Sequence, residues 1–169
     1  DSFASADFWK KNLEETNHFE VMEIITNDEF TQKKWALENN ISYSKENWRL
    51  DILEAQIDLF RTDIFFAHDF ITANYELRSK IKKKFPKIKI ISWDGVAKNN
   101  ADAFIGCDLI MSSAHSILDY YKKNGFQTLF LEQGFEAGFI DRLQFGARNV
   151  DCSFVGSVFM GENRHNERL

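Results

Sequence analysis

Short apolar runs alternate with segments of helical periodicity along most of the chain. The runs at residues 19–26, 64–67, 88–92, 109–111, 128–131 and 154–155 predict six β-strands. Residues 28–38, 47–60, 73–84 and 114–123 predict four helices between them. Because the strands are almost continuously apolar, we expect helices on both faces of a parallel sheet. The pattern therefore predicts an α/β fold with a Rossmann-like doubly wound parallel sheet.

Apolar stripes and helix-ending residues support these boundaries. The stripes that should face the sheet are Leu50, Leu53, Ile57 and Phe60 in the second helix and Ala114, Ile117, Leu118 and Tyr121 in the fourth. Ser113 is predicted to be the N-cap of the fourth helix and Gly125 its C-terminal stop. Pro86 ends the third helix near Lys84.

Composition and charge narrow the class of protein. The 169 residues are 44% hydrophobic and 28% charged, which is typical of a globular chain with one substantial core. The net charge of −5 disfavours binding to nucleic acid. Cys107 and Cys152 predict neither a disulfide framework nor a zinc site. With no membrane-spanning run and no signal pattern, we expect a cytoplasmic protein.

One stretch of the chain is strongly basic. Its members are Arg78, Lys80, Lys82, Lys83, Lys84, Lys87 and Lys89. The first interpretation is a solvated helix end whose lysines complement the helix dipole. The alternative is a peripheral contact between Lys80, Lys82, Lys83, Lys84 and Lys87 and anionic headgroups at the inner face of the membrane, or a phosphate-linked acceptor.

Polar clusters follow the predicted strands. Ligands of open parallel sheets bind at the carboxyl ends of strands. The clusters are Asn27 and Asp28; His68 and Asp69; Trp93, Asp94 and Gly95; Ser112, Ser113 and His115; Glu132, Gln133, Gly134 and Phe135; and Gly156 with Ser157. The sequence therefore predicts a binding site along this edge of the sheet.

Each cluster has a chemical and a structural interpretation. His68 and Asp69 suit a general base and its orienting carboxylate, or they cap a turn. The Trp93–Asp94–Gly95 run offers an aromatic platform, a carboxylate and a backbone that can approach a ligand closely. The alternative is a tight turn with a core tryptophan.

The later clusters also have two interpretations. His115 lies in the first turn of a helix, where anions bind, or it is a capping or solvated histidine. Glu132 and Gln133 suit hydrogen bonds to hydroxyl groups, or they belong to an ordinary loop.

Motifs that are missing exclude several enzyme classes. The sequence has no glycine-rich dinucleotide or P-loop motif, no hydrolase elbow, no H-E-x-x-H and no C-x-x-C. It also has no Asp-x-Asp pair to hold a metal-bound nucleotide diphosphate. If the ligand is a sugar nucleotide, a site without metal is favoured.

Three stretches resemble one protein family. They are FEVMEIITNDEFTQKKWALENN, NWRLDILEAQIDLFRTDIFFAHDF, and DCSFVGSVF with the following NRHNERL. Together they resemble bacterial glycosyltransferases of GT-B fold, of the spore-maturation (CgeB-like) type. Ala55, Gln56, Ile57, Thr62, Asp63, His68 and Asp69 match the family's helix and the strand after it, with Thr62 in place of the usual proline.

The resemblance implies two Rossmann-like domains and a division of roles between them. Residues 1–146 correspond to the acceptor-side domain without its first strand, and residues 147–169 to the start of the donor-side domain. The implied activity is sugar transfer from a nucleotide-sugar to a glycan, lipid-linked or protein acceptor, with no cofactor and no activity in this fragment alone. His68, Asp69 and Asp94 become candidates for the base. Gly156 and Ser157 become candidates for binding the donor diphosphate.

Three alternatives stay open at the level of the sequence. The first is a noncatalytic flavodoxin-like or receiver-like module that binds a partner through one face. The second is a degenerate glycosyltransferase domain that binds glycan without transferring it. The third is a different α/β enzyme.

Overall fold

Four short strands form a parallel sheet in the order β1-β2-β3-β4. The strands are β1 (Ile64–Ala67), β2 (Lys89–Trp93), β3 (Leu109–Ser112) and β4 (Thr128–Phe130). Their register aligns Ala67 with Ser92, Trp93 with Met111, and Ser112 with Phe130. These pairs place the carboxyl ends of all four strands at one edge of the sheet, which is called the carboxyl edge below.

A computed structural model describes residues 6–68, 73–95, 101–134, 138, 146 and 150–152. The helices are α1 (Ala6–Glu15), α2 (Glu29–Glu38), α3 (Trp48–Phe60), α4 (Tyr75–Lys84) and α5 (His115–Lys123), with a 3₁₀ turn at Ala101–Phe104. The chain divides into two compact units, Asp1–Gly134 and Phe135–Leu169. All of these helices and strands belong to the first unit.

Helices cover both faces of the sheet. On one face, α3 and α4 bury Leu53, Ile57, Ile81, Ile88 and Ile90 in one cluster, with Phe65 packed against it. The 3₁₀ turn and α5 bury Phe104, Ile110, Ile117 and Tyr121 in a second cluster. Side chains alternate between faces along a strand, so Phe66 points to the opposite face from Phe65. There it meets Trp9 of α1 edge to face, with 5.3 Å between ring centroids.

This arrangement confirms the α/β, Rossmann-like parallel fold predicted from the sequence. Four predicted strands and four predicted helices occur within two residues of their expected bounds. Both apolar stripes face the core, since Leu53, Ile57, Ile117 and Tyr121 are buried. Gly125 follows the end of α5 with a φ of 86°, as its role as a helix stop requires.

Two predictions about secondary structure differ from the structure, and a third falls outside the described residues. Residues 19–25 run without helix or strand structure and pair with no described strand, because pairing needs a neighbour as well as an apolar sequence. The N-cap of α5 is Ala114 instead of Ser113, and it makes no side-chain capping bond. The strand predicted at residues 154–155 lies outside the described residues.

Arg78 is the clearest correction. It was grouped with the solvated basic stretch, but its side chain is fully buried. Its guanidinium donates to the carbonyl oxygens of Ala73, Ala103 and Ile105. Arg78 therefore binds α4 to the chain around the 3₁₀ turn, and the surface charge of the basic stretch comes from lysines alone.

Candidate functional site

The carboxyl edge collects residues from three separate predicted clusters. His68 directly follows β1, Asp94 directly follows β2, and Ser113 directly follows β3. Because Ala67 aligns with Ser92, the next residues along each strand, His68 and Trp93, are neighbours across the sheet. The parallel topology thus brings together His68 and Trp93, which are 25 positions apart in the sequence.

His68 is an exposed histidine at this edge. Its ring packs against Phe66 at right angles, with 5.8 Å between centroids. This contact fixes one side of the imidazole against Phe66, and the rest of the His68 side chain is exposed to solvent. Its position suits a group that takes a proton from a ligand bound above the sheet.

Asp94 has a different environment from His68. Its side chain is only 2% exposed, and the hydroxyl of Tyr121 donates to its carboxylate over 2.6 Å. Its own backbone N–H donates to the carbonyl oxygen of Met111 at 2.9 Å, which extends the pairing of β2 with β3. Asp94 is thus held beneath the carboxyl edge and linked to α5.

Burial and the bond to Asp94 together fix the state of Tyr121. Burial raises the pKa of the Tyr121 phenol, and the neighbouring carboxylate raises it further. The phenol therefore stays protonated at neutral pH and serves as a hydrogen-bond donor. In this geometry Tyr121 positions Asp94, a role that the sequence analysis missed. The only sequence signal was a tyrosine on the apolar stripe of α5.

Trp93 and Gly95 pack closely across the end of β2. A Cβ atom placed on Gly95 would lie 3.2 Å from Nε1 of Trp93, so a larger residue there would crowd the indole. The Trp93 side chain is half-buried, while Gly95 is exposed. This close approach is compatible with both interpretations of the run, an aromatic platform beside an open backbone and a tight turn.

The start of α5 holds the next part of the edge. The His115 ring stacks on Phe130 of β4, with centroids 4.2 Å apart and planes 5° from parallel. Below them, the buried Ser112 hydroxyl accepts from the N–H of Ala114 at 3.2 Å. His115 is exposed and lies in the first turn of α5, as predicted. Its stacking gives the imidazole a fixed orientation at a helix N-terminus.

The remaining residues of the predicted polar clusters fall into three groups. Glu132, Gln133 and Gly134 follow β4 and are exposed at the same edge. Asp69, Phe135, Gly156 and Ser157 lie outside the described residues. Asp28, from the first polar cluster, caps α2 by accepting from the N–H of Thr31 at 3.2 Å. That bond gives Asp28 a structural role.

Most of the lysines named for a membrane contact are engaged with other groups. Lys80 pairs with Glu76 at 3.0 Å, Lys84 with Glu54 at 2.6 Å, and Lys82 with Asp108. Lys83 and Lys87 form no ion pair with any residue that the structure describes. The stretch joins the end of α4 to the start of β2, so it lies at the edge opposite the carboxyl edge.

The described residues offer no sign of a metal site or of a membrane span. Within the described ranges, no three His, Cys, Asp or Glu side chains cluster as metal ligands would. No described helix is long and apolar enough to cross a membrane. Comparison with models of protein families, with curated proteins and with solved structures finds no match to this chain.

Proposed function

We propose that this chain is the acceptor-side half of a glycosyltransferase. The enzyme would transfer a sugar from a nucleotide-sugar donor to a glycan, lipid-linked or protein acceptor. One observation carries the proposal: an exposed imidazole, His68, neighbours an aromatic platform, Trp93, at the carboxyl edge of a parallel sheet. The resemblance to GT-B glycosyltransferases supplies the reaction class.

The proposed chemistry uses His68 as the base. An acceptor hydroxyl oxygen attacks the anomeric carbon of the donor sugar, and the bond to the nucleoside diphosphate breaks. The hydroxyl proton passes to a ring nitrogen of the His68 imidazole.

Neighbouring groups would orient the acceptor. The half-buried indole of Trp93 offers an apolar surface for a sugar ring, with Glu132 and Gln133 as hydrogen-bonding groups for hydroxyls. Asp94 would support the turn after β2 from beneath and not contact the acceptor, because its carboxylate is buried and bonded to Tyr121. The donor would bind to the second domain, so we expect no transfer from this chain alone.

Nuclear magnetic resonance of the chain tests the proposed division of roles. With oligosaccharide acceptors, we expect the indole resonance of Trp93 to shift, together with the ring resonances of His68. The indoles of Trp35 in α2 and Trp48 in α3 serve as internal references, whereas Trp9 does not, because it packs on Phe66 beside His68. Nucleoside diphosphates should leave Trp93 unmoved. The proposal fails if a nucleoside diphosphate, and no oligosaccharide, shifts Trp93.

Substitution of the base tests the chemistry in a protein that carries both domains. We expect His68→Ala to lower the transfer rate by about 10²-fold or more, the usual contribution of a general base. His18→Ala, at an exposed histidine near the end of α1, is the matched control. A rate for His68→Ala within a factor of two of the control would contradict the assignment.

The alternative of a noncatalytic binding module has one observation in its favour. Of the predicted base residues that the structure describes, only His68 is exposed, because Asp94 is buried against Tyr121. A module that binds glycan without turnover would still shift the Trp93 resonance. Unlike the enzyme, such a module would transfer no sugar, so His68→Ala would have no transfer rate to lower.

A further inference from the structure

The described sheet ends in an open strand at β4. This strand pairs with β3 on one side, and no described strand lies on its other side. Proteins often protect such an edge with charged side chains or proline, because its free main-chain groups pair readily with another chain. The sequence of β4, TLF, has neither protection, and Leu129 and Phe130 are 48% and 37% exposed. This edge is therefore suited to pairing with a further strand.

Two residues of β4 direct their main-chain groups away from the sheet. The N–H of Leu131 donates to the carbonyl oxygen of Ser112 in β3 at 3.0 Å, so this group faces β3. Main-chain groups alternate sides along a strand, so those of Leu129 also face β3. The N–H and C=O groups of Thr128 and Phe130 therefore face outward, and they form no hydrogen bond with any residue that the structure describes.

A second copy of β4 in antiparallel orientation offers a partner to each of these groups. With a two-fold axis beside Leu129, Thr128 lies opposite the partner's Phe130, and Phe130 lies opposite the partner's Thr128. Residues that lie opposite each other in this way exchange both hydrogen bonds, so all four outward groups are paired. An axis beside Thr128 would instead set Phe130 opposite the partner's Phe126. The N–H of Phe126 is already bonded to the carbonyl oxygen of Tyr121, so that register pairs fewer groups.

Leu129 supplies the apolar contact at the axis. In an antiparallel pair, opposite residues that share no hydrogen bond have Cα atoms about 4.5 Å apart, so Leu129 would contact the partner's Leu129. Both side chains are about half exposed in the single chain, and their contact would remove apolar surface from water. Side chains therefore favour the same register as the main-chain groups.

The position of α5 allows two copies of this helix to pack together beside the axis. The helix contacts both β3 and β4, so it lies above the space between them. Neighbouring strands are about 4.8 Å apart, so the two α5 helices would lie two strand spacings apart, about 10 Å. That distance is within the range of about 8–10 Å that separates packed helices. The two-fold axis places both helices on the same face of the joined sheet, where they run antiparallel.

One exposed stripe of α5 faces beyond β4. His115, Asp119 and Lys122 recur at helical spacing and are all exposed. The stacking of His115 on Phe130 places this stripe above the edge strand. In the antiparallel pair, Asp119 would lie near the partner's His115. Lys122 would lie near the partner's Glu132, because Glu132 follows the carboxyl end of β4 and Lys122 lies towards its amino end. The stripe is therefore complementary in charge to its own copy.

We propose that this chain forms a two-fold symmetric dimer through antiparallel pairing of two β4 strands. The two sheets join into one, and each subunit contributes the same patch to the interface. A second copy is favoured over an unrelated extended peptide, since only a second copy also brings α5 and its charged stripe to the axis. The proposal concerns assembly of two chains and does not depend on the proposed glycosyltransferase activity.

Sedimentation equilibrium of the chain at increasing concentration tests the proposal. We expect a species of twice the 19.8 kDa mass of the chain. Leu129→Lys sets two like charges opposite each other at the axis, so it should raise the dissociation constant of the dimer by about 10-fold or more. Leu129→Val keeps an apolar strand former and is the matched control, which should retain the dimer. A monomer at every concentration would overturn the proposal, as would equal dissociation constants for the two variants.

Cross-linking tests the register of the pair. In a chain that carries Cys107→Ala and Cys152→Ser, Leu129→Cys would place two thiols at the axis, within the Cα separation that a disulfide spans. Diamide, which takes up the two electrons and two protons of the thiols, is the oxidant. We expect covalent dimer to form about 10-fold faster or more than from Leu37→Cys, at an exposed leucine of α2. Equal rates of cross-linking in the two variants would show that the subunits meet elsewhere and would overturn the proposal.

Discussion

Asp94 shows how much one buried side chain depends on its partner. The sequence marks it as a polar residue after a strand, and in the structure its carboxylate accepts from the Tyr121 hydroxyl at 2.6 Å within the core. A buried carboxylate that loses such a donor keeps its desolvation cost without the compensating bond. Its orientation therefore depends on α5 as much as on β2.

Removal of the Tyr121 hydroxyl should destabilise the protein. We expect Tyr121→Phe to lower the free energy of unfolding by about 1–3 kcal/mol, because the ring packing is kept and the bond to Asp94 is lost. Urea denaturation measures the change. Tyr43→Phe, at an exposed tyrosine, is the control and should change stability by less than about 0.5 kcal/mol. Equal losses in the two variants would show that the bond adds no stability.

At the scale of elements, Arg78 joins α4 to a distant part of the chain. Its guanidinium satisfies the carbonyl oxygens of Ala103 and Ile105, at the 3₁₀ turn that precedes β3, and that of Ala73 before α4. No carboxylate of a described residue takes part in these bonds, so the cation is held by backbone dipoles. We therefore expect α4 and the 3₁₀ turn to lose their structure together when these bonds are removed.

Loss of these bonds gives the element-scale prediction. We expect Arg78→Met to lower the free energy of unfolding by about 2–4 kcal/mol, since buried carbonyl groups are left unpaired. Amide exchange near Ile105 should quicken more than exchange within α2. Arg49→Met, at an exposed arginine, is the matched control. If both variants unfold at the same urea concentration, the bonds from Arg78 to the carbonyl groups do not stabilise the fold.

At the scale of the whole molecule, Asp108 joins α4, β2 and β3. It pairs with Lys82 of α4, accepts from the N–H of Ile90 at 2.7 Å, and directly precedes β3. Partial burial by itself would raise the pKa of Asp108. The bonds from Lys82 and Ile90 outweigh that effect and lower the pKa below its ordinary value.

This lowered pKa predicts how stability depends on pH. The unfolded carboxyl binds protons more readily than the folded one, so its stabilising effect is fully present above about pH 4 and is lost as the pH falls through the folded pKa. In Lys82→Gln we expect stability to fall less between pH 7 and pH 2.5. The measurement is the urea concentration at the midpoint of unfolding at each pH. Lys83→Gln, with no ion pair among the described residues, should keep the loss. The same pH profile in both variants would contradict the role of Lys82.

The sequence by itself determined the order and type of most elements. Residues 64–67 and the stripe of α3 are local patterns, and an apolar run or a 3.6-residue period constrains the backbone wherever it occurs. Gly125 is a local signal too, since a positive φ at a helix end favours glycine in any fold. The carboxyl-edge position of His68 followed from the same reasoning, because a parallel sheet aligns its strand ends.

Only the tertiary structure decided which polar groups are buried and which apolar segments are paired. Tyr121 reaches Asp94 across 27 positions, and Arg78 reaches Ile105 across the same separation. Residues 19–25 have the apolar sequence of a strand but border a groove instead of a partner. Hydrogen bonds between strands and burial of charge depend on neighbours that are distant in sequence, so no local pattern specifies them.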